Sequence, residues 1–302
     1  MPGNDVTRCR GGGLPKAERT LGELGYEAQD LAAIRRVLCQ PEGIVLAVGP
    51  AGSGRTASVR AMLDAIAPQR GRIWSVRPTV HRRPEGKPRS VGDPDDGRLR
   101  DPLAVRFRRM LRSRPDPVLL AEIDSSEAAQ LALRGAQAGC RVFSTMYGGR
   151  AYHVFPRFCA WGIAPTDLAE QLLLVVAQRL VRALCPDCAL PDESEAVREA
   201  LVRAADGWRS PSATPDSVRS RMANPSGCNR CRGAGYRGHA IVYECIEVDS
   251  GVRSLVEEGV GATEMERRLL ADGRGLWERG LRLVASGATS LDALRASVRE
   301  PR

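Results

Sequence analysis

The sequence predicts an α/β protein built on a parallel sheet, and three observations carry that expectation. The 302-residue chain is 43% hydrophobic, which is enough to bury one large core and a smaller satellite. An apolar run bounded by glycines, Gly43-Ile-Val-Leu-Ala-Val-Gly49, leads through a glycine-rich turn into a helical pattern. Short strand patterns then alternate with helical ones, the arrangement of a sheet covered on both faces by helices.

Taken in order, residues 1–15 are Gly-rich, lack apolar periodicity and are expected to be a loose tail. Leu31, Ile34, Val37 and Leu38 recur at helical spacing and place a helix over 28–38. The 43–49 run reads as a buried strand, and the pattern after the turn as a helix over 55–66. Segment 77–101 is rich in Arg, Pro, Gly and Asp, so it reads as a long surface loop or an inserted hairpin. A helical stretch over 103–112 precedes the turn Arg114-Pro115-Asp116-Pro117. A second strand over 118–123, a helix over 126–138 and a third strand over 141–145 follow. Segment 165–184 reads as one long helix, 208–227 as a Ser, Pro and Arg-rich interval, and 251–298 as helical.

Composition narrows the function. The longest apolar run, Leu172 to Ala177, is far shorter than the roughly eighteen residues that span a bilayer. The N-terminal residues lack the apolar stretch of a signal peptide, so a cytoplasmic location is expected. The formal charge of +9 favours an acidic partner, either nucleic acid or an anionic membrane face. Few aromatics accompany the basic residues, and stacking platforms for single strands need them, so nucleic-acid binding is not expected. Lysine occurs only at Lys16 and Lys87; the remaining basic residues are arginine.

The glycine turn carries chemistry. Gly49-Pro50-Ala51-Gly52-Ser53-Gly54-Arg55-Thr56 has phosphate-loop spacing in every position but one, where Arg55 stands for the lysine. In such loops backbone N–H groups and the following helix N-terminus cradle phosphate oxygens, the lysine reaches the β- and γ-phosphates, and the hydroxyl binds magnesium. The bland alternative is a turn that merely joins strand to helix. A planar guanidinium can pair with phosphate, yet it is bulkier than an ammonium and fits less readily among the loop amides. Because arginine is used nearly everywhere in this chain, the change does not by itself prove lost function.

Two further pairs stand out. Cys185-Pro-Asp-Cys188 and Cys228-Asn-Arg-Cys231 have the spacing of tetrahedral zinc ligands, and four thiolates would close the shell around a structural ion. A labile disulfide pair or free thiols are the alternatives. Cys9, Cys39, Cys140, Cys159 and Cys245 are scattered and read as small hydrophobes or incidental thiols. His81, His153 and His239 lack ligand or triad spacing and read as surface or loop residues. Leu276, Leu281, Val284 and Leu291 read as packing for a helical subdomain.

From about Leu21 to Val298 the sequence resembles the GspE/PulE-like ATPases of type II secretion and type IV pilus assembly. Pro41 to Thr56 is similar to the family's strand and Walker A loop. Leu111-Arg-Ser-Arg-Pro-Asp-Pro-Val-Leu-Leu-Ala-Glu122 resembles its Walker B segment, with Glu122 at the catalytic glutamate. Glu127-Ala-Ala-Gln, Ser144-Thr145, Ala177-Gln-Arg-Leu-Val-Arg-Ala-Leu-Cys-Pro-Asp-Cys188, Cys228 to Cys231, Gly235-Tyr-Arg-Gly and Tyr243-Glu244 follow in the family's order. The resemblance implies a RecA-like P-loop NTPase domain over 21–184 after a disordered tail at 1–20. It further implies a tetracysteine zinc module over 185–238 and a C-terminal helical subdomain over 239–302. It also implies ATP held at Gly49, Gly52, Ser53, Gly54, Arg55 and Thr56 with Mg2+, Zn2+ at the four cysteines, and a hexamer with itself or a related ATPase. Inner-membrane platform proteins are the implied partners, with the secretion or pilus-extension branch favoured by the tetracysteine module.

The departures fall on the chemistry. Arg55 replaces the phosphate lysine, Ser75-Val-Arg77-Pro78 stands at the acidic Asp box, Tyr147 at the histidine of the His box, and Asp124-Ser125 follow Glu122. Phosphoryl transfer to water depends on magnesium, γ-phosphate neutralisation and an oriented water, so ATP is expected to bind while hydrolysis is impaired. The rivals are a non-hydrolysing regulator or scaffold and a fully active ATPase that tolerates arginine. The family's N-terminal domains have no counterpart in the matched region: either another chain supplies them, or this protein does a different job.

Overall fold

The computed structural model describes residues 7–8, 19–70, 74–76, 105, 107–108, 111–112, 116–120, 122–205, 219–270 and 273–301. A seven-stranded mixed sheet organises them. In chain order its strands are β1 (Thr7–Arg8), β2 (Gly43–Val48), β3 (Trp74–Val76), β4 (Val118–Leu120), β5 (Arg141–Met146), β6 (Leu172–Leu184) and β9 (Tyr236–Glu247). Their spatial order is β1-β3-β4-β5-β2-β6-β9. The five central strands are parallel, from β3 to β6, and only β1 and β9 run antiparallel to their neighbours. A separate ribbon pairs β7 (Leu190–Pro191) with β8 (Arg221–Met222).

Helices cover both faces because the central strands are apolar on both. All six residues of β2 are buried, and each aliphatic side chain so enclosed contributes about 1.5–3 kcal/mol. On one face lie α1 (Leu21–Leu24), α2 (Ala28–Leu38) and α3 (Arg55–Arg70). Ile34, Val37, Met62 and Leu63 pack there against Val45, Ala47 and Val176. On the other lie α4 (Ser126–Gln137), α5 (Val154–Ala160), α6 (Pro165–Gln171), α8 (Ser250–Glu257) and α9 (Ala262–Leu269), around Ile44, Leu46 and Val175. A third cluster joins α7 (Glu195–Ala205), α10 (Leu276–Ala285) and α11 (Leu291–Ser297) through Val197, Leu201, Leu276, Leu281, Val284 and Leu291. Among the described residues no helix is long and apolar enough to cross a membrane.

Three expectations need correction. Segment 165–184 is not one helix: α6 ends at Gln171, Leu172 turns extended, and β6 begins. Residues 172–178 are all buried between two helical layers, and an unbroken apolar run of this kind suits a doubly covered strand as well as it suits a helix. Residues 239–247 belong to β9 in the main sheet, so the helical C-terminal part begins at Ser250. Tyr243 and Ile241 of β9 fill the α1–α3 core, which holds this strand in the sheet. At the N-terminus, Thr7 and Arg8 pair with Ser75 and Trp74 as a short edge strand within the expected tail. The other residues of 1–18, the 77–101 loop and most of the 103–112 helix lie outside the described residues.

Candidate nucleotide site and cysteine cluster

The 49–56 loop joins β2 to α3 at the C-terminal edge of the parallel strands, where open α/β sheets place their ligands. Gly49 N donates to Met146 O at 3.1 Å, tying the loop's start to the end of β5. A Cβ at Gly49 would lie 2.3 Å from Ser53 Oγ and 2.7 Å from Gln178 O, so only glycine fits this crossing. Gly54 takes φ 86°, which lets the chain turn into α3. Among the described residues the N–H groups of Gly52, Gly54, Arg55 and Thr56 form no backbone hydrogen bond. The space in front of Gly52 is open, with nothing within 4 Å of where a Cβ would sit. Amides without a backbone partner at a helix N-terminus suit an anion. Thr56 is exposed in the first turn of α3, and Ser53 is buried with an unpartnered hydroxyl.

The guanidinium of Arg55 does not lie across the loop. It forms a close ion pair with Glu122, which stands just beyond β4, two strands from β2. Ile123 N donates to Thr145 O at 2.8 Å, fixing the glutamate's backbone to β5. The cation at the lysine position is thus engaged by the carboxylate expected to act on water. Ser125 caps α4, its hydroxyl accepting from Ala128 N at 3.3 Å. Tyr147 is 61% exposed at the end of β5, and its carbonyl accepts from Arg157 Nη1 at 2.7 Å. Arg77 lies outside the described residues.

Two residues that sequence reasoning did not place brace the loop, and a third lies beside them. Gln178 Nε2 donates to Ser53 O at 2.7 Å, and Gln178 Oε1 accepts from the Tyr26 hydroxyl at 3.1 Å. Tyr26, in the link between α1 and α2, also lies 2.9 Å from Ser58 Oγ of α3. Its ring packs 4.6 Å from that of Tyr243, whose hydroxyl donates to Asp30 at 2.7 Å. Asp30 in turn pairs at 2.8 Å with Arg279, a buried cation over the Tyr243 ring. The third residue, Arg179, bridges two carbonyls. Gln178 and Arg179 fall within the motif Ala177-Gln-Arg-Leu, but placing them required knowing that 172–184 is a strand beside the loop.

The four cysteines converge. Cys185 follows β6, Cys231 precedes β9, and all four Sγ atoms lie within 4.8 Å of one another. The Cys185–Cys228, Cys188–Cys231 and Cys228–Cys231 sulfur separations are each 3.8 Å. A tetrahedron with metal–sulfur bonds of about 2.3 Å has edges of about 3.8 Å, so the set fits zinc. The N–H groups of Cys228 and Gly235 point at Cys231 Sγ from 3.1 and 3.2 Å and pull that thiol down to about 6. Among the remaining cysteines, Cys140 and Cys245 are buried and Cys39 is exposed. His153 and His239 are exposed, while His81 lies outside the described residues.

A strand, a glycine loop and a helix at the edge of a parallel sheet, with helices on both faces, define a mixed α/β protein. Within that class the chain belongs to the Type II/IV secretion system protein family, whose sequence model matches residues 15–296. It is 31% identical to type II secretion system protein E of Pseudomonas aeruginosa over 281 residues, 93% of this chain and 53% of that protein. It is 32% identical to the type IV pilus assembly ATPase PilB of Myxococcus xanthus over 272 residues, 89% of this chain and 46% of the relative. The chain thus spans about half the length of the curated relatives it matches. In fold it resembles the pilus retraction motor PilT with bound ADP, at TM-score 0.61 and 17% identity, covering 95% of this chain and 69% of PilT. The Legionella pneumophila ATPase DotB follows at TM-score 0.57 and 16% identity, covering 94% and 66%.

Proposed function

We propose that this chain is an ATP-binding motor-type subunit of a type II secretion or type IV pilus assembly system whose hydrolysis is impaired. The ion pair between Arg55 and Glu122 carries the reading. An arginine held by a carboxylate is not free to neutralise a γ-phosphate, and a carboxylate held by arginine is a poor acceptor for the proton of an attacking water. Gly49, Gly52, Ser53 and Gly54 would shape the turn around the phosphates, and the Thr56 hydroxyl, on an exposed residue, would be available to Mg2+. Magnesium, when bound, would screen the phosphate charge. Cys185, Cys188, Cys228 and Cys231 would hold a structural zinc with no open position for catalytic water. On this reading the subunit would work in a hexameric ring, with copies of itself or a related ATPase, against platform proteins at the cytoplasmic side of the inner membrane; family membership supports it.

Equilibrium binding of Mg-ATP, measured beside phosphate release from the assembled protein, tests this reading. Binding with little turnover is the expected result. Robust turnover that Glu122→Ala abolishes would show a working motor and overturn the proposal. Neither binding nor turnover would support a scaffold, in which the phosphate loop is only a structural turn.

A further inference from the structure

One carboxylate on β9 draws donors from separate parts of the chain. Glu244 is fully buried; its Oε1 lies 2.6 Å from Arg150 Nε, and its Oε2 accepts from Ala151 N at 2.8 Å. The N–H of Leu276, the first residue of α10, stabilises the same carboxylate. Arg150 Nη2 in turn reaches Glu266 of α9 at 2.6 Å. Arg150 and Ala151 belong to the segment between β5 and α5, whereas Glu266 and Leu276 belong to the C-terminal helices. One charged cluster ties the two together.

The near end of this tie is rooted beside the 49–56 loop. Met146, the last residue of β5, accepts from Gly49 N at 3.1 Å, and a Cβ at Gly148 would lie 2.6 Å from Val48 Cγ1. The segment leaving β5 and the start of the glycine loop are thus in direct contact. Burial pushes the Glu244 carboxyl up, and Arg150 is the largest influence against that, ahead of the Ala151 and Leu276 N–H groups. Loss of Arg150 alone would leave a buried charge without its cation, so the cluster stands or falls as a unit. A second link starts three residues along α10, where Arg279 pairs with Asp30 at 2.8 Å and covers the Tyr243 ring. Tyr243 and Glu244 are successive residues of a strand, so their side chains leave it on opposite faces. Helix α10 therefore holds both faces of β9.

We propose that Arg150 is a positioning residue that couples the candidate nucleotide site to the C-terminal helices, so that nucleotide held at the 49–56 loop tightens the start of α10. This inference rests on the nucleotide-site reading above. Such coupling is reciprocal: loosening the tie at α10 weakens nucleotide binding by the factor that nucleotide adds to the tie.

Hydrogen exchange of the full chain with and without saturating Mg-ATP, beside calorimetric titration, tests the coupling. In wild type, exchange at 276–281 should slow about fivefold when nucleotide binds, the low end of usual coupling between sites. Arg150→Gln alone strands the Glu244 charge, so the deciding variant is the doubly neutral Arg150→Gln/Glu244→Gln. It should bind nucleotide about fivefold more weakly, and its response at 276–281 should vanish. Glu266→Gln cuts only the arm to α9 and should keep that response. Faster exchange in the double variant with the nucleotide response intact would mark a merely structural tie and overturn the inference. Wild type that binds Mg-ATP with no change at 276–281, or Glu266→Gln that loses the response, also overturns it while leaving the nucleotide site standing. Wild type that binds no nucleotide refutes the underlying reading and this inference with it.

Discussion

Replacing Glu122 by glutamine should tighten ATP binding, an outcome opposite to the usual effect of damaging an active-site residue. The Arg55 side chain is 14% exposed and that of Glu122 is 41% exposed, so their contact lies at the water's edge, where such pairs contribute about 1 kcal/mol or less. On the proposed reading ATP would have to break that contact before Arg55 could serve a phosphate, and Glu122 would also repel the terminal phosphate. The Glu122→Gln variant keeps the shape and removes both costs, so Mg-ATP affinity should rise by up to about fivefold. Calorimetric titration of wild type and Glu122→Gln measures it directly. Adding Arg55→Ala to each background completes a double-mutant cycle. Loss of Arg55 should cost little affinity when the carboxylate of Glu122 holds it, and clearly more when the neutral amide of the variant has released it. Unchanged or weaker binding in Glu122→Gln, or an Arg55→Ala cost equal in both backgrounds, would show that the ion pair does not compete with nucleotide.

Three other consequences follow from the same geometry. Purified protein should carry one zinc per chain, and a strong chelator or Cys185→Ser should lower its melting temperature and loosen 185–231; metal analysis and hydrogen exchange check both. Tyr26→Phe leaves Gln178 Oε1 short of a donor and should cost about 1–2 kcal/mol in denaturant unfolding, with weaker ATP binding because Gln178 holds Ser53 O. On α9, hydrogen bonds from Arg267 and then Arg268 hold the Glu264 carboxyl down at about 2. A depressed carboxylate stabilises the fold above its unfolded value and loses that effect as pH falls through the folded value. Glu264→Gln should therefore melt below wild type at pH 7, and the gap should close between about pH 4.5 and pH 2.

What could be read in advance was what is local. The helix at 28–38 is found with the expected bounds because its apolar stripe faces one core and its other face is polar. The strand at 43–48 was legible because glycines punctuate it and a glycine-rich turn follows. The same rule failed at 172–184, where burial on both faces removed the alternation that separates strand from helix. Strand β9 was hidden differently: its first residues are exposed and polar and include Gly238, and only 241–246 are continuously buried. Its identity depends on pairing with β6, a contact that no short window contains.

The site shows the same division. The loop's glycines and the four cysteines declare themselves by spacing, since each motif closes on itself within a few residues. The Arg55–Glu122 contact joins positions 67 residues apart, and the brace from Tyr26 to Gln178 joins positions 152 apart. Seen in space, the altered lysine position meets a residue that the family resemblance retains. Arg55 at the lysine position is balanced by Glu122, and Arg150, beside the altered His-box position, by Glu244 and Glu266. Around the loop most charges are thus satisfied within the chain before any ligand arrives. On the proposed reading a phosphate entering the site would have to displace the carboxylate of Glu122 from Arg55. That favours holding a nucleotide loosely over the tight charge neutralisation that phosphoryl transfer requires.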